Sequence, residues 1–306
     1  MSAFAAAAAA VTCRPDEPFM TVRFTLCILS LTVLAGCSMQ RLAVRGALPL
    51  MQGGIEAMNR ETDVELAKAA MPASLKMVEG MVYADPDNAR LRLYAAEGFH
   101  GYAFAFVEPE DAKRAAGLYA RCRDHARAAL QPTALREGLD TLPLDELRER
   151  VAHTGPEAVP ALFWTASCWA KWAQMNLEDV TVLPQVERAA VLMRRVLELD
   201  EGYYYAGPHL FFAVLYAVRG PVLGGDFTQS EKHFARAREL TGGKVLMVDV
   251  LQAEFLDRQR LDRAAFHARL VRVIEAPDDL LPEATFINRV AKMQARRLLA
   301  REDEWF

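Results

Sequence analysis

The sequence predicts an all-α fold made of successive antiparallel helix pairs. From Glu61 onward the chain is rich in Ala, Leu, Arg and Glu, which have high helix propensity. It has no alternating Val, Ile and Thr runs of the kind that would predict strands. Signals that stop one helix and start the next recur along the chain, so we expect many separate helices.

The N-terminal segment has the composition of a secretory leader. Arg23 precedes the apolar run Phe24–Leu34, and an Ala-Gly-Cys tripeptide follows at residues 35–37. The thirteen residues from Phe24 to Gly36 are too few to cross a hydrocarbon core of ~30 Å as a helix. They do suit the apolar region of a signal peptide.

This order of basic residue, apolar run, small pair and cysteine resembles a bacterial lipoprotein signal with its lipobox. The resemblance implies that residues 1–36 are removed and that the lipidated Cys37 anchors the chain in the periplasm without spanning the membrane. Ser38 indicates the outer membrane, by resemblance to Gram-negative sorting rules. We also expect translation to start at Met20, because residues 1–19 fit no part of a signal. An ordinary secretory signal, or an apolar first helix of the domain, is the alternative.

A single helical domain is expected over residues 61–306. The preceding residues 37–60 include Gly46, Pro49, Gly53 and Gly54, and this composition predicts a tether behind the lipidated cysteine. Helix patterns then follow one another, although the length alone would allow two domains.

Turn residues divide this domain into helices. Asp85–Asn88 ends one helix and caps the next, because proline cannot continue a helix and Asp or Asn accepts hydrogen bonds from free N–H groups. Thr228–Glu231 is a candidate capping box, and Gly242 with Gly243 forms a C-terminal stop. The longest connection is expected at Gln131–Glu157. The predicted elements are a leading helix at 61–83, the pairs 87–106 with 109–130, 158–176 with 184–199, 203–219 with 228–241 and 245–257 with 261–275, and a closing helix at 283–302.

The second helix of each pair ends in a similar phrase, at Leu130, Leu199, Leu240 and Glu275. Helix pairs with such endings resemble tetratricopeptide repeats, although their spacing is irregular where that family repeats every ~34 residues. The resemblance implies a degenerate tetratricopeptide-like helix-pair solenoid, an α-α superhelix stabilised from neighbour to neighbour. Its concave surface, lined by the first helix of each pair, is where such folds hold extended or apolar partners.

Charge and cysteine content exclude some functions. The formal net charge of −4, with both signs interspersed, gives no reason to expect nucleic acid as a partner. Cys122 and Cys168 remain outside the leader, and an oxidising compartment permits a disulfide between them. Both lie in apolar helical patterns, however, and we favour two separate buried cysteines that act as small hydrophobes.

Motifs for catalysis, cofactors or metals are missing from the sequence. The six histidines are scattered, and His-Glu-x-x-His, Cys-x-x-Cys and Gly-x-Ser-x-Gly patterns do not occur. We therefore expect a protein that is not an enzyme and needs no cofactor. Glu97 and His100 have the i, i+3 spacing of a di-iron ligand pair, but without a second copy we favour a pair on the helix surface.

The loop Gly220–Asp226 is the most distinctive non-helical segment. Its glycines could bring N–H groups to an anion, but the Gly-Lys-Ser/Thr ending of a phosphate loop is absent. We favour a tight turn in which glycines adopt positive φ and Asp226 caps the next helix. Gly224, Gly225 and Asp226 are kept as a candidate wall of a ligand channel.

Aromatic residues concentrate on two predicted helices. Most belong to the core, because a bundle helix buries about three positions in seven. Neighbouring rings cannot all face one way, however, so some should line the concave face or an intersubunit surface. Tyr and Trp suit an apolar pocket with a wet end. The candidate ligand- or partner-binding residues are therefore Phe163, Trp164, Trp169, Trp172, Tyr203, Tyr204 and Tyr205.

Several segments, together with the lipobox, resemble the T-components of TRAP transporters, the TatT lipoproteins. They are Asp63–Gly80, Asp85–Asn88, Gly98–Phe106, Phe163–Ala166, Gly220–Asp226, His233–Ala237 and Asn288–Ala291. The resemblance covers most of the mature chain. It implies an all-helical, tetratricopeptide-like periplasmic lipoprotein that associates with the substrate-binding protein of a TRAP system.

The same resemblance implies a homotrimer with a channel through each subunit, which would pass a small, hydrophobic ligand to the binding protein. The family offers no catalytic residues to carry over. The alternative function is a tetratricopeptide scaffold for envelope assembly, which would bridge membrane proteins through an open groove and bind no ligand of its own. An unrecognised hydrolase is the remaining possibility.

Overall fold

A computed structural model describes the backbone of residues 18–131 and 133–306, and the side chains from residue 39 onward except at 132–134, 180 and 221. The predicted lipidation of Cys37 and start at Met20 fall outside the described side chains and stay predictions. The chain divides into two compact units, Met1–Ala47 and Leu48–Phe306, and each is described by itself.

The described residues are mostly helical and contain no strand, which confirms the all-α fold class. The helices of the domain begin and end close to the predicted positions. Among the described residues, no helix is long and apolar enough to cross a bilayer. In chain order the α-helices are α1 Pro18–Asn59, α2 Val64–Ala84, α3 Ala89–Tyr102, α4 Ala112–Ala129, α5 Thr133–Gly138, α6 Leu144–Ala152, α7 Val159–Gln174, α8 Leu183–Leu199, α9 Tyr203–Val218, α10 Phe227–Leu240, α11 Met247–Gln252, α12 Arg263–Glu275, α13 Thr285–Leu299 and α14 Glu302–Trp305.

Residues 41–59, which we expected to form a non-helical tether, are part of α1. Glycine weakens a helix by ~1 kcal/mol relative to alanine, but tertiary packing of an apolar face outweighs such propensities. Within the larger unit, Met51 is buried and Met58 packs against the core. The role of this segment as a tether stays a prediction.

Side-chain caps explain where the helices begin. Asn88 caps α3, as expected. Its side chain accepts a hydrogen bond from the Leu91 N–H at 3.2 Å. The predicted capping box at Thr228 is wrong, because Asp226 already caps α10. Its Oδ1 atom accepts from the N–H groups of Thr228 and Gln229 at 2.8 and 3.1 Å. The N-cap of α10 is therefore Asp226, two residues before Thr228.

The connection over residues 131–157 is not irregular throughout. It contains the short helices α5 and α6. With six and nine residues, these helices are too short to give a clear helical pattern in the sequence. Leu147 and Val151 of α6 are buried, and the Arg188 guanidinium of α8 donates to the Leu139 and Leu142 carbonyl oxygens at 2.9 and 2.7 Å. These contacts hold the insertion against α8.

Two helices of the domain end in a π-helical turn. Ala103–Val107 extends α3, and Ala253–Asp257 extends α11. A π turn inserts a residue into the helical spacing and often marks a functional site. Both turns lie where the helices reach the inner side of the domain.

Most helices pack on their neighbours in sequence, with α2 on α3, α3 on α4, α7 on α8 and α9 on α10. This pattern agrees with the predicted solenoid of helix pairs, whose tetratricopeptide-like detail stays a prediction. The last long helix, α13, returns to contact α2. The Gln294 side chain donates to the Phe104 carbonyl oxygen at 3.3 Å, and the rings of Phe106 and Phe286 lie 6.3 Å apart.

Asn288 holds α13 in this position. Its Nδ2 atom donates to the Lys244 carbonyl oxygen at 2.9 Å, and its Oδ1 atom accepts from the Leu246 N–H at 3.0 Å. The side chain is buried, and unpaired polar atoms there would be costly. The residues before α11 and the closing helix are therefore joined through both the N–H and the C=O group of one side-chain amide.

Cys122 and Cys168 are joined in a disulfide with Cα atoms 5.8 Å apart, so the expectation of two separate buried cysteines is wrong. In the sequence, each cysteine occupies an ordinary core position of an apolar helical pattern. Both side chains are fully buried in the structure. What sequence could not show is that α4 and α7 pack directly on each other across the intervening insertion. The bond links these two helices over a sequence separation of 46.

Replacement of both cysteines by alanine should lower the free energy of unfolding. A crosslink across about 46 residues is worth ~4 kcal/mol in the chain-entropy model, and native disulfides usually contribute 2–5 kcal/mol. Urea unfolding followed by circular dichroism would measure the difference. Equal urea midpoints for the wild type and the double variant under oxidising conditions would contradict the prediction. The wild type unfolded in the presence of a reductant serves as the control.

Candidate functional site

A cavity of about 520 Å³ lies inside the domain. Its wall is formed by the inner faces of α3, α7, α9 and α13 and by the segment that contains α11. Most of the lining is apolar, with few polar groups, as is typical of a small-molecule site. The lining includes Phe104, Ala105, Leu210, Phe211, Val214, Leu215, Met247, Leu251, Phe255, Phe286, Ile287 and Val290.

Helix α7 supplies one continuous stripe of the wall. Trp164, Ser167, Lys171 and Gln174 all line the cavity, at spacings of three or four residues that place them on one helix face. Trp169 lies away from this face and packs toward α4, where the Arg123 guanidinium is 5.6 Å from its ring centroid. The cavity therefore uses one side of α7 and the core uses the other.

The N-terminal turn of α9 has an unusual backbone. Tyr204, Tyr205 and Ala206 have φ values of 45°, 59° and 61°, the left-handed region that costs a non-glycine residue ~1–2 kcal/mol. This turn places Tyr204 and Tyr205 in the cavity wall. Strained backbone of this kind tends to persist at functional sites.

Close ring contacts hold the turn in place. The Tyr204 and Trp164 centroids are 4.6 Å apart with the rings at 73°, and Phe163 lies 5.0 Å from Trp164. Next in the chain, Gly207 passes so close to Phe163 that an added Cβ would lie 2.5 Å from a ring atom. Only glycine fits there without displacing the ring.

Glu97 and His100 line the same cavity, so the expected pair on the outer helix surface is wrong. The i, i+3 spacing was visible in the sequence, but which helix face is enclosed depends on the return of α13. Burial raises the pKa of Glu97, although a hydrogen bond from the Tyr204 hydroxyl opposes this. Burial, with the Lys171 cation nearby, lowers the pKa of His100 to about 4. At neutral pH the imidazole is therefore uncharged.

A second polar group borders the cavity next to the π turn of α3. Lys171 donates to Glu108 at 2.7 Å and to Gln174 at 3.1 Å. The Tyr119 hydroxyl also donates to Glu108, and burial raises the pKa of this phenol. Burial likewise raises the pKa of Glu254 in the π turn after α11. Lys171 is thus already neutralised by a partner within the protein.

The structure brings together part of the predicted binding set. Phe163, Trp164, Tyr204 and Tyr205 line the cavity, whereas Tyr203 packs edge-on against Phe163 behind it. Trp169 is in the core, and Trp172 packs on Arg123 at 5.2 Å, outside the lining. Binding at any of these residues stays a prediction.

The glycine loop before α10 behaves as the favoured turn. Gly224 has φ +82°, and Asp226 caps α10 as described above. A Cβ on Gly225 would collide with the Arg219 carbonyl oxygen, so the turn requires glycine there. Gly224, Gly225 and Asp226 do not occur in the cavity lining.

Sequence reasoning missed Glu97, His100 and the residues of the two π turns as parts of the cavity. No local pattern distinguishes Phe104 or Phe255 from ordinary core residues, because both turns face inward only in the assembled domain. In the described part of the chain, no group of three or more His, Cys, Asp or Glu side chains is arranged to hold a metal ion.

A family model described as TRAP transporter T-component matches residues 60–306, which include the cavity-lining residues except Asn59. No curated protein matches the chain.

Glu97→Gln should stabilise the fold more at pH 8 than at pH 4. Because the folded-state pKa of Glu97 is raised, its contribution to stability is present at low pH and is lost as the pH rises through that pKa. Thermal unfolding at several pH values would measure the effect. The exposed Glu149→Gln of α6 is the control, and an equal pH dependence of the two variants would contradict the prediction.

Proposed function

Because this chain belongs to the TRAP transporter T-component family, and so is an accessory of a TRAP transport system, we propose that it passes a small apolar ligand to a substrate-binding protein. The observation that carries the proposal is the apolar cavity of about 520 Å³ lined by α3, α7, α9 and α13. A scaffold without a ligand of its own needs no such cavity. We propose no catalytic step.

The family indicates a protein of the cell envelope. Our proposal adds that the mature chain is held at the outer membrane by lipid on Cys37 and that it assembles as a homotrimer. In that arrangement the domain meets a periplasmic binding protein while it stays attached to the membrane. The anchor and the trimer come from the resemblance stated above.

Exposed apolar residues border the cavity and support a docking role. Leu177 and Val218 line the cavity, yet they are 56% and 46% exposed. Val222 and Leu223, in the loop after α9, are 98% and 64% exposed. Val222 and Leu223 follow Val218 in the chain but do not occur in the cavity lining. Exposed apolar residues at the edge of a cavity, such as Leu177 and Val218, are typical of interaction surfaces. We propose that the binding protein docks here, so that ligand leaves the cavity without meeting bulk water.

Ala170→Phe should block the ligand site. Ala170 lines the cavity on α7, and an added ring there occupies space that a ligand needs. We expect the affinity for Nile red, a neutral apolar dye, to fall by at least about tenfold, since overpacking typically costs 1–3 kcal/mol. Fluorescence titration measures it. Ala235→Phe, at an exposed position of α10, should bind the dye like the wild type, and equal affinity of all three proteins would refute a cavity site.

Leu177→Asp should weaken association with the substrate-binding protein of the TRAP system. A carboxylate at the cavity mouth would lose its water when the proposed interface forms, and this desolvation costs free energy. Purified partner and variant would be compared by co-purification after mild crosslinking. The control is Met77→Asp on α2, which is 57% exposed and does not line the cavity. If the two variants retain the partner equally, the mouth is not the docking surface.

A further inference from the structure

A carboxyl group and several aromatic rings meet in one part of the cavity wall. We call the cavity-lining residues Phe163, Trp164 and Tyr204, together with Tyr203 packed behind Phe163, the aromatic corner. The ring pairs Phe163–Trp164 and Trp164–Tyr204 are nearly perpendicular, at 78° and 73°. Phe163 and Tyr203 cross at 67° with centroids 5.1 Å apart. In such edge-to-face contacts the edge of one ring meets the negative π face of the next. Phe163, Trp164 and Tyr204 all line the cavity, so these rings border the same space as Glu97.

Glu97 lies beside this corner and has no cationic partner. Its hydrogen bond is with the Tyr204 hydroxyl, and among the described side chains no Lys, Arg or His forms an ion pair with it. Tyr203, Tyr204 and Tyr205 are the titratable groups that face it from α9. A carboxylate in a dry site is costly unless it is paired, so Glu97 is a site that a cation would complete.

Two cationic side chains also line the cavity, Lys171 and Arg258. Lys171 is paired with Glu108 at 2.7 Å. Arg258 lies over the Trp305 ring with its guanidinium 4.8 Å from the centroid. His100, one turn along α3 from Glu97, is neutral because burial holds its pKa at about 4. Glu97 is the one carboxyl group in the described lining of the cavity. Burial disfavours its charged form, and a bound cation would favour that form again.

We propose that Glu97 and the aromatic corner bind the ammonium head group of an amphiphilic cation whose alkyl part occupies the apolar cavity. Aromatic faces attract alkylammonium ions through their quadrupoles, most strongly where water is excluded. The ammonium ion gives Glu97 the partner that the protein does not supply. This inference rests on the proposed ligand-carrying function and names the chemical class of its ligand.

The test uses three probes with one alkyl chain: octyltrimethylammonium, octanol and octanoate. Competition against Nile red measures their affinities for the intact protein. We expect the cation to bind best, and to bind at least about tenfold more tightly than octanoate. Octanoate as the best ligand, or equal affinities of the cation and octanol, would overturn the proposal. This comparison in the wild type does not depend on the folding of any variant.

Glu97→Gln keeps the shape of the side chain and removes its charge. We expect the variant to bind octyltrimethylammonium about tenfold more weakly than the wild type and to bind octanol within twofold. Glu149→Gln, on the exposed face of α6, should leave all three affinities unchanged. An unchanged preference for the cation in Glu97→Gln would show that the carboxyl group is not its partner.

The outcomes separate this inference from the function on which it rests. If Nile red and octanol bind but the cation binds no better than octanol, the proposed ammonium site is wrong. That result does not affect the ligand-carrying function. Failure of Nile red and of all three octyl probes to bind would overturn both. Loss of the substrate-binding protein as a partner would bear only on the proposed function.

Discussion

The return of α13 to the first helices of the domain is the contact on which the enclosed cavity depends. Helix pairs that pack only on their sequence neighbours form an open curved array with a concave groove. Here Gln294 reaches the backbone of the π turn after α3, and Phe286 meets Phe106. Asn288 fixes the other side of the helix to the residues before α11. The groove thereby gains an apolar wall on this side, while exposed residues such as Leu177 still border its opening.

Enclosure changes the chemistry of the groups on the inner faces. Glu97 and His100 would be ordinary solvated side chains on an open groove, but inside the domain burial disfavours the charged form of each. The left-handed turn at Tyr204 has a similar origin. Its strain is maintained because the rings of Trp164 and Phe163 hold it from the facing helix. The polar and aromatic parts of the site therefore exist only in the closed domain.

Local signals in the sequence were sufficient for most of the fold. Helix ends follow from caps such as Asn88 and Asp226 and from Gly242, whose effects reach only a few residues. Contacts between helices that are distant in the sequence could not be predicted from these local signals. Four of the seven predicted aromatic residues line the cavity, since α7 and α9 were correctly chosen. The choice of Trp164 over Trp169, however, requires the position of α4. The disulfide and the cavity role of Glu97 depend equally on which helices meet across the insertion and at the closure.

The bond between Cys122 and Cys168 has a consequence for when the protein matures. It joins α4 to α7, the helix that supplies one full stripe of the cavity wall. Thiols stay reduced in the bacterial cytosol and are oxidised outside it. The wall of the cavity thus reaches its crosslinked form only after export, and a nascent chain in the cytosol lacks the constraint that completes the site. Export is therefore a step in the assembly of the crosslinked cavity wall.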